Sequence, residues 1–160
     1  GTQKEQKGGM HEIVFVVLKE RMKRFRMKGV LCMSQNTAYN VTNGPFPFSH
    51  AMESDHVVYL SGQPAMDLET RTFLGGSFAE QFQQCFANLD AVLQEAGLSK
   101  KDVVKCTVFL IDMRDYPEMN DLYAKYFEKP YPARSCFAVN GLPLGARIEV
   151  EMIAHRHVGK

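Results

Sequence analysis

Between Ser77 and Gly97, apolar side chains recur at Phe78, Phe82, Cys85, Phe86, Leu89, Val92, Leu93 and Ala96, the spacing that lines one face of an α-helix. Ser77 with Glu80 three residues on reads as a capping box, and Gly97 supplies the stop. A helix this one-sided has to lie against a second layer. The next segment, Val103 to Ile111, is a β-branched and aromatic run of strand length, apolar on both faces, and predicts a central strand. Asp115-Tyr116-Pro117-Glu118 then opens a second helix, with Met119, Leu122, Tyr123, Tyr126 and Phe127 on its buried side and Pro130 as its end.

Shorter signals flank this frame. Ala38 to Val41 begins a strand, and Asn43-Gly44-Pro45-Phe46-Pro47 is turn material because its two prolines forbid a helix. His56 to Leu60 reads as a buried strand, stopped by Ser61-Gly62-Gln63-Pro64. Near the end, Arg134 begins a short strand and Gly141-Leu142-Pro143-Leu144-Gly145 makes a turn of hairpin length. Arg147 to Ala154 then alternates, Ile148, Val150 and Met152 on one face and Glu149 and Glu151 on the other. A strand-helix-strand unit predicts a parallel pair and the hairpin an antiparallel one, so the sheet is mixed and the class α+β, with both helices packed on one face. The opposite face is left bare and carries the two glutamates, which points to a homo-oligomer with clefts between its subunits.

Composition narrows the partners. With 45% apolar and 23% charged residues among 160, the chain is of ordinary globular type and large enough for a real core. Six basic residues against Glu20 give residues 19–28 a net charge of +5, residues 1–18 balance, and −4 is left for residues 29–160. A mildly acidic body is not the footprint of a nucleic-acid binder. The apolar run Ile13 to Leu18 is far shorter than the roughly 20 residues of a membrane span, and its basic cluster follows where a signal peptide's would precede. Residues 1–36 are therefore read as a basic extension, whether leader, tag remnant or disordered arm, ahead of a domain at 37–160. The expected location is the cytoplasm, with import into an organelle through the extension as the alternative. Cys32, Cys85, Cys106 and Cys136 contain no Cys-x-x-Cys and have no histidine at zinc-ligand spacing; His155 and His157 share a face without a third ligand. Free thiols are expected, and neither a metal nor another cofactor is.

The chemistry concentrates at the C-terminal end, where the expected strands place Arg134 and Glu149 on neighbours. An arginine fork suits a substrate carboxylate and a glutamate can hold or deprotonate a water, so the pair could orient a small acid and hydrolyse it. Glu151 is either a second participant or a structural charge neutralising Arg147 or a neighbouring subunit's cation. Cys136 is read as a core thiol rather than a nucleophile, because a small thiol on a packed strand is usually core. Ser61 has no histidine and acid at triad spacing, so it caps its turn or bonds a ligand. Asn120 is either a solvated helix residue or part of a pocket.

Tyr131-Pro132-Ala133-Arg134-Ser135-Cys136, Gly141-Leu142-Pro143 and Ile148 to Ala154 resemble the signature of the Rid (YjgF) family of reactive intermediate deaminases. Gly44-Pro45-Phe46, Leu60-Ser61-Gly62-Gln63, Asn88-Leu89, Val104 to Phe109 and Asn120 support the likeness, which spans roughly residues 37 to 156. The resemblance implies a chorismate-mutase-like fold, a homotrimer with active sites between subunits, and hydrolysis of 2-imino acids or their enamines to 2-keto acids and ammonia. Carried over by position, Arg134 binds the carboxylate, Glu149 engages the water, the backbone at Cys136 holds substrate, and Phe46, Ser61 and Asn120 line the pocket. Phe46 stands where the family often has tyrosine, so one hydroxyl is missing. The competing readings are an RNA-directed translation inhibitor or endoribonuclease, and a non-catalytic small-acid-binding trimer or holdase.

Overall fold

The computed structural model describes residues 36–157. The basic extension, apart from its last residue Asn36, and with it Cys32, lies outside the described residues. Six strands form one mixed sheet: β1 (Thr37–Tyr39), β2 (Ala51–Ser54), β3 (Val57–Pro64), β4 (Val103–Leu110), β5 (Ala133–Ala138) and β6 (Ile148–His155), in the spatial order β1-β2-β3-β6-β4-β5. Only β4 and β5 are parallel; every other pair is antiparallel. Two α-helices among the described residues, α1 (Phe78–Glu95) and α2 (Tyr116–Tyr126), complete the expected α+β architecture.

The Ser77–Glu80 capping box is closed in both directions, and Gly97 turns the chain out of the helix with a positive φ of 68°. The α1 stripe packs on Val58 and Leu60 of β3 and on Ile148, Val150 and Met152 of β6, all at most 4% exposed. Phe86 stands at the junction with α2, its ring 4.5 Å from Tyr126 and 6.2 Å from Tyr123. Burying each such large side chain contributes about 1.5–3 kcal/mol, which fixes both helices to one side of the sheet. Buried Asn88 donates from Nδ2 to the carbonyls of Pro64 (3.2 Å) and Met66 (2.8 Å), pinning the chain where it leaves β3. Among the described residues, no helix is long and apolar enough to cross a membrane.

Three local expectations are corrected. Ser61-Gly62-Gln63-Pro64 does not stop β3: the strand runs through to Pro64 by way of a bulge, with Ser61 and Gly62 together facing Glu151 between the pairs Leu60↔Met152 and Gln63↔Val150. Turn-type residues serve here to insert one extra residue into a ladder. The segment Gly141 to Gly145 does not close a hairpin. β5 pairs with β4 at the sheet's edge, and β6 inserts between β3 and β4, so this segment carries the chain past β4, with Leu144 and Gly145 both at positive φ. The long apolar strand β6 is better satisfied between two neighbours than beside the short β5. Arg147 is neutralised by Asp115, at 2.6 Å, and not by Glu151, which is exposed.

Among the described residues, no helix packs on the sheet's other side. Met52, Tyr59 and Phe137 stand exposed there in line with Ile153, Glu149 and Glu151.

Candidate active site

Glu149 projects from β6 onto the bare face, opposite Phe109 of β4 and Pro64 of β3. Its carboxylate comes so close to the bulge that a β-carbon on Gly62 would lie 2.2 Å from Oε1. The bulge thus brings a backbone without a side chain against the acid. Oε2 is buried and, among the described residues, has no hydrogen-bond partner. Burial, and then the charge of Glu151, push the Glu149 carboxyl above the usual carboxylate range. Such a group holds a proton more readily than an exposed glutamate and, once ionised, is a stronger base toward water.

Glu149 shares a cavity of about 450 Å³ with Ser61, Phe46 and Arg71. The Ser61 hydroxyl donates to the carbonyl of Ser49 at 2.7 Å, which leaves its oxygen free to accept. Phe46 is 53% exposed, stacks on Phe48 with ring centres 5.9 Å apart, and presents the edge of the cavity with an open ring. Phe46 and Ser61 thus stand around the same cavity as Glu149.

Arg134 occupies a different setting. It is the second residue of β5, paired with buried Cys106, and its side chain rises on the helix-covered face beside α2. Nη2 donates to Asn120 Oδ1 at 2.7 Å and to the Tyr116 hydroxyl at 3.3 Å, Nη1 reaches Met119 Sδ at 3.6 Å, and the guanidinium lies 4.7 Å from the centre of the Tyr123 ring. Among the described residues no carboxylate forms an ion pair with it. A cavity of about 360 Å³ opens beside it, lined also by Asn120, Tyr131 and Pro132. Cys136, two residues on and on the same face, pairs with Val108, and burial pushes its thiol up, away from the thiolate a nucleophile needs. Because β5 is the last strand of the sheet, half of its backbone N–H and C=O groups face outward.

The structure therefore brings the expected residues together in two groups: Arg134 with Asn120 and Cys136, and Glu149 with Ser61 and Phe46. It does not bring Arg134 to Glu149 within one chain. They are not on neighbouring strands, since β4 lies between, and the register Cys106↔Arg134 against Phe109↔Glu149 sends them to opposite faces. Sequence reasoning missed Gly62 and Arg71 of the Glu149 cavity, and Tyr116 and Tyr123 around the guanidinium. The tyrosines carried a signal that fitted a core stripe equally well, and Arg71 sits in a polar loop with no periodicity to betray it.

Residues 42–156 match the family described as Endoribonuclease L-PSP. The chain is similar to a 2-iminobutanoate/2-iminopropanoate deaminase of Bos taurus, 40% identical over 108 residues that cover 68% of this chain and 79% of that protein. It is also similar to a RutC family protein of Leuconostoc mesenteroides, 42% identical over 112 residues covering 68% of this chain and 86% of the relative. Among solved structures it resembles E. coli TdcF with bound serine, with a TM-score of 0.66, 31% identity, and coverage of 75% of this chain and 94% of that one. Matching in sequence over most of its length and in the course of its sheet, the chain belongs to the Endoribonuclease L-PSP family, the Rid (YjgF) family that its C-terminal motifs resemble.

Proposed function

We propose that the protein is an imine deaminase that hydrolyses reactive 2-imino acids, or their enamine tautomers, to 2-keto acids and ammonia, at sites shared between subunits of a homotrimer. The observation that carries this reading is the pair of incomplete half-sites. Among the described residues, one holds an oriented guanidinium without a carboxylate partner and the other a buried carboxylate oxygen without a donor. A second copy of the chain, docked on the bare sheet face with its exposed Met52, Tyr59 and Phe137, would complete each with the other. The names of relatives such as the bovine 2-iminobutanoate/2-iminopropanoate deaminase supply the substrate class.

In this mechanism Arg134 grips the substrate carboxylate through its planar fork, aimed by Asn120 and the tyrosine faces. Outward backbone groups near Cys136 hold the substrate, and Ser61 and Phe46 border it. Glu149 takes a proton from water as the water oxygen adds to the electrophilic iminium carbon, giving a carbinolamine. Glu149 returns that proton to nitrogen, the C–N bond breaks, and the hydroxyl collapses to the carbonyl; its proton leaves with ammonia as ammonium. Placement of a held acid beside a poised water is all the catalysis this reaction requires. The domain that does this spans 37–160, and its free thiols suit the cytoplasm or an organelle reached through residues 1–36.

An RNA-directed reading needs a basic groove with aromatic platforms along a strand's path, and the Glu149 cavity, with a buried acid at its wall, suits a small metabolite instead. The test is release of 2-ketobutyrate and ammonia from the imine that a threonine dehydratase generates in situ. Acceleration over buffer, abolished by Arg134→Ala and by Glu149→Gln, is expected; the same rate with and without the protein overturns the proposal. Binding of 2-ketobutyrate without turnover of any imine would make the protein a small-acid binder instead.

A further inference from the structure

The Glu149 cavity has a second charged wall. Arg71, in the loop between β3 and α1, holds a φ of +59°, in the left-handed region that non-glycine residues rarely adopt. A tight turn keeps it there: the Arg71 amide donates to the Asp67 carbonyl at 2.8 Å, and Asp67 Oδ1 accepts from the amides of Glu69 and Thr70. Its guanidinium is fixed as well. Nη2 donates to the Asn43 carbonyl at 2.7 Å, the group lies 5.4 Å from the centre of the Phe46 ring, and it packs so tightly on Gly44 that a β-carbon there would stand 2.1 Å from Nη2.

One acceptor uses one of the five N–H groups, and among the described residues Arg71 has no carboxylate partner. Its charge is felt within the cavity: His50, which also lines it, is held below its usual range by burial and then by Arg71. A cation positioned in this way, over an aromatic ring and beside a pocket of about 450 Å³, is preorganised for an anionic group entering that pocket.

We propose that Arg71 is a specificity-determining residue that takes the distal acidic group of a dicarboxylic 2-imino acid while Glu149 readies the water, an assignment that rests on the imine-hydrolysis reading of the same cavity. The substrate then presents two carboxylates to two arginines, its α-carboxylate to Arg134 of a second copy and its side-chain acid to Arg71. Reactions that oxidise dicarboxylic amino acids to their imines are the class that would supply it.

The experiment compares kcat/KM for a dicarboxylic imine and a neutral one, generated in situ by amino-acid oxidases from aspartate and from alanine, and followed by ammonia release. Wild-type protein is expected to favour the dicarboxylic imine. Arg71→Gly, which the left-handed backbone accepts, is expected to lower the dicarboxylic-to-neutral ratio roughly 10- to 100-fold, the scale of one charge-assisted hydrogen bond, with Arg71→Lys in between. Arg71→Asn, also tolerant of that conformation, serves as the second variant should the glycine loosen the loop. A ratio that the Arg71 variants leave unmoved overturns the assignment of Arg71 while the deaminase reading stands. Hydrolysis of neither imine by wild-type protein overturns the deaminase reading, and this inference with it.

Discussion

Arg134 and Glu149 turn their side chains to opposite faces of one six-stranded sheet, separated by β4. Each is prepared for an ionic partner that its own chain does not supply within the described residues: the guanidinium is aimed by Asn120 and stacked on Tyr123, and the carboxyl is buried against Gly62 with one oxygen unpaired. If catalysis needs both, they must come from two chains.

Mixing is the direct check. Arg134→Ala and Glu149→Gln are each expected to be inactive alone, yet when the two are unfolded and refolded together about one site in four regains both wild-type groups by random assortment at a symmetric interface. Recovered imine hydrolysis in the mixture supports a shared site, and none refutes it. Arg134→Lys keeps the charge but loses the fork, and is expected to cost on the order of 2–4 kcal/mol in kcat/KM.

Gly62 gives a test that leaves both charged groups in place. Its φ is not in the left-handed region, so alanine suits its backbone, but the new methyl would meet Glu149 Oε1 at 2.2 Å and displace the carboxyl. Gly62→Ala is expected to fold with near wild-type stability and to lose activity on the order of 100-fold, the usual consequence of moving a catalytic group by about 1 Å. Thermal unfolding beside the ammonia assay separates this from a folding defect; full activity would remove Glu149 from the mechanism.

Much of this was legible in the chain. The Ser77 box and the stripe from Phe78 to Ala96 gave α1 with its buried face, because capping and amphipathicity are local properties. The alternation of Ile148 to Met152 against Glu149 and Glu151 gave the two faces of β6. The position of β6 in the sheet was not legible: which strand neighbours which depends on long-range pairing, and the turn residues Gly141 to Gly145 fit a hairpin as well as a crossing loop. The same ambiguity hid the bulge at Ser61-Gly62, where residues that end strands also thicken them. Putting Arg134 and Glu149 on adjacent strands followed from that one error of topology.

Arg156 ties the end of β6 to the rest of the fold. Its guanidinium donates to both Glu53 oxygens, at 2.8 and 3.0 Å, and to the Ala96 carbonyl at the end of α1, at 2.6 Å. Hydrogen bonds from Arg156, then from Tyr39, hold the Glu53 carboxyl down to about 2 from an ordinary value of 4.5. A carboxylate depressed in the native state contributes stability that is complete above its unfolded value and is lost as pH falls from 4.5 towards about 2. Arg156→Ala is expected to cost about 1–3 kcal/mol at neutral pH, and Glu53→Gln to flatten the acid limb of stability. Denaturant unfolding from pH 7 to pH 3 checks both, and an acid limb unchanged in Glu53→Gln rules the network out as its source.

Glu149 has the opposite sign. Burial first, and Glu151 second, raise its proton affinity, so the basic form that accepts a proton from water prevails only above a raised pKa, and activity is expected to climb with pH through that value. Glu151→Gln removes the second cause and leaves the first, so the acid limb of kcat should move to lower pH without vanishing. The same raised affinity means that the native state holds this proton more tightly than the unfolded chain, and stability declines as pH rises past the ordinary glutamate range. Glu149→Gln is therefore expected to be inactive and at the same time more stable at neutral pH, the trade that a buried catalytic acid imposes. A pH–rate profile of the Glu151 variant and melting curves of the Glu149 variant test the two halves separately: a limb that stays put, or a variant that melts earlier, contradicts a desolvated, charge-coupled base at this position.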